Sequence, residues 1–135
     1  MREFVHEQTL ILLRRFSLQV TRAARTGDPE AIHHLRVSIR RLSRCLRVFA
    51  QFYPGRGWKK LRRHLKELMD ACGRVRDRDV ALGVLAKAGF PATSIVVCRL
   101  NRDRAAALLE LMTLLRRWKQ GGASQKWRAQ LGIDG

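Results

Sequence analysis

The residues of this chain whose types and spacing could do chemistry are mostly cationic, and the most orderly of them are His33, Arg36, Arg40, Arg44 and Arg47. At about 100° per residue these five fall on one narrow strip of a helix, with the apolar residues of the same segment on the opposite side. From Ala31 through Gln51 the segment carries no Asp or Glu. A helix face that is merely solvated usually mixes signs, because opposite charges four residues apart support the helix and like charges weaken it. An anion lying along the strip would offset that cost. Further on, Lys59, Lys60, Arg62, Arg63 and Lys66 repeat the trend, and Arg74 and Arg76 continue it beyond Gly73. Arg99, Arg102, Arg104, Arg116 and Arg117 follow in the last long segment. The preference for arginine over lysine suits a phosphate ligand, since the planar guanidinium donates two parallel hydrogen bonds to phosphate oxygens.

Other chemistries find less support. His33 and His34 are adjacent, so on a helix they point about 100° apart and share no face; no HxxxH pair completes a zinc site, and no metal is expected. His33 lies in the arginine strip, where its N–H can reach a phosphate oxygen, whereas His34 is read as facing solvent or a neighbouring helix. His6 and His64 are assigned no special role. No Ser or Cys sits beside a base in a nucleophile motif, and neither a Walker Gly-rich loop nor an ExExK pattern is present, so no catalytic residue and no cofactor is expected. Asp77 and Asp79, in Arg76-Asp77-Arg78-Asp79-Val80, read as helix caps and as ion-pair partners that orient arginines. Cys45, Cys72 and Cys98 are each set among apolar residues and too far apart for a CxxC motif, which predicts buried thiols in a reducing cytoplasm.

The whole chain carries the same signature. Its 28 Lys+Arg against 11 Asp+Glu give a formal charge of +17 and a pI near 11.6, well beyond what solubility asks for. Such self-repulsion points to a polyanionic partner: nucleic acid, an anionic membrane surface or a chain of phosphates. Yet 46% of the 135 residues are hydrophobic and recur at helical spacing, so this is a folded basic domain and not a basic tail. One domain is the expectation at this length. No apolar run approaches the roughly 20 residues that span a bilayer.

The elements that must position the charges can be read from apolar periodicity. Phe4, Val5, Leu10, Leu12, Leu13, Phe16 and Val20 mark a first helix from Arg2 to about Arg25. In Thr26-Gly27-Asp28-Pro29-Glu30, Gly27 ends that helix, Asp28 caps the next and Pro29 takes its first position. The second helix is predicted from Pro29 to about Tyr53. A third starts at Trp58, with Trp58, Leu61, Leu65, Leu68, Met69, Cys72 and Val75 inward, and is predicted to end near Arg74-Val75-Arg76. A shorter helix capped by Asp77 or Asp79 would then carry Val80, Leu82, Val84 and Leu85 as far as Gly89-Phe90-Pro91. The last long helix, Ser94 to about Lys119, presents Val96, Val97, Leu100, Ala107, Leu108, Leu111, Leu114, Leu115 and Trp118. Residues 122–135 read as a weakly ordered C-terminal tail to a bundle of residues 1–121. No segment alternates with period two, so the fold class is all-α, an antiparallel bundle of about four to five helices.

Pro29-Glu30-Ala31-Ile32-His33-His34-Leu35-Arg36-Val37-Ser38-Ile39-Arg40-Arg41-Leu42, followed by Gly73-Arg74-Val75-Arg76-Asp77-Arg78-Asp79-Val80, resembles the CHAD family, the conserved histidine α-helical domain. Proteins of that family are helical, are associated with polyphosphate granules in prokaryotes and bind polyphosphate along a basic surface. The resemblance matches His33 to the family histidine, Arg36, Arg40 and Arg41 to its basic positions, and Arg74, Arg76, Asp77 and Asp79 to the second motif. Where the family usually has arginine, this chain has Ser43, with Arg44 one step later. The family domain is an internal duplication of two bundles, and this chain resembles the first, a half-CHAD-like unit, either as a half-length form or as one partner of a homodimer that rebuilds the basic cleft.

The resemblance narrows the polyanion to inorganic polyphosphate, bound without catalysis, with His33, Arg36, Arg40, Arg41, Arg44, Arg47, Lys59, Lys60, Arg63, Arg74 and Arg76 as candidate ligands. The alternatives are a nucleic-acid binder, since any phosphate backbone rewards the same stripe, and a scaffold docking an acidic protein partner. Base recognition ranks lower because Trp58, Trp118 and most Phe residues fall on apolar faces, and membrane-surface binding ranks lowest because those faces are needed for the core.

Overall fold

The computed structural model describes residues 1–133, which form helices and turns with no strand. Four long helices, α1 (Arg2–Thr26), α2 (Pro29–Val48), α3 (Gly57–Lys87) and α4 (Ile95–Gln120), precede a short α5 (Ala123–Gln130). Each long helix packs on the next, and α1 closes the bundle against α4. Thr9 meets Cys45, Ser43 meets Arg62 and Arg104 meets Asp79, so neighbouring helices run antiparallel.

The turn between α1 and α2 forms as its residues dictate. Gly27 ends α1 in the left-handed region at φ 63°, Asp28 Oδ1 accepts a 2.7 Å hydrogen bond from Ala31 N–H, and Pro29 opens α2. A Cβ at Gly27 would lie 2.8 Å from Met112 Cε. The turn is therefore sealed against α4 as well as against its own helices.

The core fills the centre of the bundle. Phe16, Leu13 and Val20 of α1 meet Leu35, Leu42 and Leu46 of α2, Leu61 and Leu65 of α3, and Leu111 and Leu115 of α4, all fully enclosed. Phe16 packs edge-on to Trp118 at 4.8 Å between ring centroids. At one end, Thr9 donates to Val5 O at 2.7 Å, and Tyr53 donates to the Thr9 hydroxyl at 2.6 Å. That pair ties the chain leaving α2 back onto α1.

Several expectations are corrected. The second helix stops at Val48, and a 3-10 turn, Ala50–Phe52, brings Tyr53 to its buried site. The third does not end near Val75: α3 runs unbroken to Lys87, so Asp77 and Asp79 stand inside it and cap nothing. Asp79 is held instead by Arg104 of α4, which also donates to Gly27 O at 3.1 Å. The tail expected to be weakly ordered forms α5 and buries Trp127, Leu131 and Ile133 in the core; its last two positions, 134 and 135, lie outside the described residues. Trp127 stacks at 6.4 Å on Trp118, so the tail's apolar residues complete the core end left open by the long helices. Phe4, Val80, Val84 and Val96 are exposed, because the first turn of α1 and the α3–α4 hairpin tip have too few neighbours to cover them. Cys98 is exposed on that tip, while Cys45 and Cys72 are buried.

Candidate phosphate-binding groove

Helix α2 fixes the site because its two faces are so different. Ile32, Leu35, Ile39, Leu42 and Leu46 are buried and lock its rotation about its own axis, which leaves Arg40, Arg44 and Arg47 outside. Where α2 lies antiparallel to the first half of α3, the outward side chains flank an open groove of about 840 Å³. Arg40, Arg44 and Arg47 come from α2, Arg56 from the connecting turn, and Lys59, Arg62, Arg63 and Lys66 from α3. Eight cations thus surround the groove with one carboxylate, Asp70.

None of the eight forms an ion pair among the described residues. Arg62 is the most anchored, its Nε donating to Ser43 Oγ at 3.5 Å, and Lys59 stands 5.5 Å from the Trp58 ring centre. Trp58, expected on an apolar face, packs against the core and also lines the groove with Ile39, Leu65 and Met69. The groove therefore has apolar and aromatic surface set among cations that form no ion pair among the described residues. Such a surface concentrates a field of one sign and offers guanidinium forks to a phosphate chain.

Of the residues singled out in the sequence, Arg40, Arg44, Arg47, Lys59 and Arg63 meet in the groove. His33 and Lys60 are exposed but do not line it. Arg36 sits at the seam between α2 and α3, half-buried, with its Nε enclosed and without a hydrogen-bond partner. Burial there lowers its pKa from the ordinary arginine value, and the positive charges of Arg76 and Arg40 lower it further. Arg74 pairs with Glu110 of α4 at 3.3 Å, which spends part of its charge within the protein. Arg41 points to the other flank of α2 and lines a separate cleft against α1. His34 is half-exposed and lies 3.5 Å from Glu30, one turn earlier.

Arg56, Arg62 and Lys66 complete the groove and were not among the candidate ligands. Arg62 and Lys66 belong to the cationic run that the sequence displays, so the signal was present. What placed them was the α2–α3 pairing, which periodicity alone does not give. Arg56 lies in a turn, where no helical phase predicts direction.

Among the described residues no group of three or more His, Cys, Asp or Glu side chains gathers as a metal site, and no helix is long and apolar enough to cross a membrane. A family model described as CHAD domain matches residues 11–133. No curated protein and no solved structure matches the chain.

Proposed function

The chain belongs to the CHAD family, and from that premise we propose that its α2–α3 groove binds inorganic polyphosphate as a non-catalytic module. The observation that carries this reading is the groove's composition: eight cations, one carboxylate and, among the described residues, no ion pair to any of the eight. Cations that a protein leaves unpaired on facing helices repel one another, and a bound polyanion removes that cost while releasing its own counterions. The open groove sets no end to the ligand, which suits a chain of repeating phosphates better than a compact molecule. Arg40, Arg44, Arg47, Lys59 and Arg63 are its proposed ligands, with Arg56, Arg62 and Lys66 added. A second copy facing the first would enclose the chain from both sides, which is the homodimer expected from the resemblance.

Trp58 supports one other reading. A half-buried indole beside Lys59 in a cationic groove can stack a nucleobase, as single-stranded nucleic-acid sites do. Competition separates the two at equal phosphate concentration. Long-chain polyphosphate is expected to displace labelled polyphosphate better than random single-stranded RNA or duplex DNA does. Equal or tighter binding of RNA, with quenching of tryptophan fluorescence that is lost in Trp58→Leu, would turn the assignment to nucleic acid. Light scattering with and without polyphosphate reads the copy number in the same samples.

A further inference from the structure

A second cationic cleft opens on the other flank of α2, where it meets α1. It has a volume of about 250 Å³ and is lined by Arg15 and Gln19 of α1, His34 and Arg41 of α2, and apolar Leu12 and Val37. At about 100° per residue, His34, Ser38 and Arg41 lie nearly opposite Ser43 and Arg47 around α2. The exposed crest between the two flanks carries His33, Arg40 and Arg44. Cations of one sign therefore run from the groove, over the crest and down into this cleft.

The chemistry of the cleft points to a single oxyanion. No carboxylate lines it, and neither Arg15 nor Arg41 forms an ion pair among the described residues. Glu30, outside the lining and largely exposed, lies 3.5 Å from the His34 ring. The Ser38 hydroxyl already donates to Leu35 O at 2.7 Å, so the donors left for a ligand are Arg15, Arg41 and His34. Gln19 Oε1 is buried without a partner. A half-turn of that amide replaces the orphaned acceptor with an N–H donor, the group an anion in the cleft requires. Leu12 and Val37 lower the local polarity, which strengthens any ion pair formed beside them. The volume suits one phosphate group with its first waters.

We propose that this cleft is a second phosphate subsite, and that a polyphosphate chain held in the α2–α3 groove crosses the crest of α2 to place one phosphate group there. The inference rests on the groove reading for the identity of the ligand, and on the Arg15–Arg41 cleft for the site itself. Its use is avidity: two anchored stretches of one chain bind as a linked pair, each raising the effective concentration of the other.

The test is calorimetric titration with sodium tripolyphosphate, too short to bridge both sites. The wild-type chain is expected to take up two equivalents. Arg15→Glu should lose one and keep the groove site, and the double variant Arg40→Glu with Arg44→Glu should lose the other. With long-chain polyphosphate, Arg15→Glu is expected to weaken binding about a hundredfold, the low end of the gain that linking two sites gives. Arg15→Gln, which removes the positive charge without adding a negative one, should give an intermediate loss, and circular dichroism should show both Arg15 variants folded. A single tripolyphosphate site on the wild type, or Arg15→Glu titrating like the wild type with both probes, would overturn the proposal. So would an Arg15-dependent site that takes poly-glutamate and refuses tripolyphosphate. Failure of the groove reading looks different: the double variant keeps both sites while Arg15→Glu still removes one.

Discussion

The salt dependence of binding tests the groove most directly, because it counts cations in contact with phosphate. Arg44→Ala removes one of the eight cations and touches no core residue, since Arg44 is exposed on the outer face of α2. For a single-stranded polyanion, the slope of log K against log salt is about −0.7 for each phosphate neutralised. If all eight groove cations engage, the wild-type slope is therefore about −5 to −6. Raising salt from about 50 to about 200 mM should then weaken binding by roughly three orders of magnitude. Arg44→Ala is expected to make the slope shallower by about 0.7, whereas Arg116→Ala, on an exposed part of α4 outside both clefts, should leave it unchanged. Fluorescence anisotropy with end-labelled polyphosphate at five or so salt concentrations measures both numbers. Two results would refute the reasoning. A wild-type slope near −2 would mean that most of the groove cations stay solvated, and an equal change in Arg116→Ala would mean that net charge, not the groove, attracts the ligand.

Three further outcomes bear on how the site is held. Trp127→Ala should cost about 3–5 kcal/mol of stability by opening a void between α5 and Trp118; a chemical-denaturation midpoint close to wild type would contradict the packing of the C-terminal helix into the core. Asp79→Ala leaves Arg104 without its carboxylate in a partly enclosed position and should destabilise by about 2 kcal/mol, less than for a fully buried pair because water still reaches both groups; its thermal midpoint is the measurement, with Asp79→Asn as the milder comparison. Burial pushes the Cys72 thiol up to about 12, with Arg36 pulling weakly the other way, and burial moves the Tyr53 hydroxyl upward too. A raised folded value means that the stabilisation is whole below the ordinary thiol range and is lost as pH climbs through the window from about 9 to about 12, where the unfolded chain has already released its proton. Thermal midpoints should therefore fall above about pH 9, and Cys72→Ala should fall less steeply over the same range; identical slopes would remove Cys72 from the account.

The amino-acid sequence by itself determined the elements that local chemistry dictates. Helical phase placed Ile32, Leu35, Ile39, Leu42 and Leu46 inside and Arg40, Arg44 and Arg47 outside, because a helix with 3.6 residues per turn has no other way to bury that pattern. Gly27, Asp28 and Pro29 likewise named their own turn, each by a backbone preference that needs no partner. Phase failed where tertiary partners overrode it. The alternating Arg and Asp residues after Val75 look like a helix boundary, yet α3 continues through them because Arg104 on α4 holds Asp79 and the two helices support each other. The C-terminal residues look too sparse to fold, and α5 forms because Trp127 and Leu131 find an uncovered core.

The site divides along the same line. One helix surface is a property of one segment, so the α2 stripe was legible from spacing alone. A groove is a property of two surfaces, and only the antiparallel contact of α2 with α3 selected Lys59, Arg62, Arg63 and Lys66 and left Lys60 aside. The packing of α1 on α2 set Arg41 in a cleft against α1, and that of α3 on α4 set Arg74 against Glu110. Sequence determined how many charges the chain carries and on which side of each helix they stand; the packing of helix on helix decided which of them share a groove.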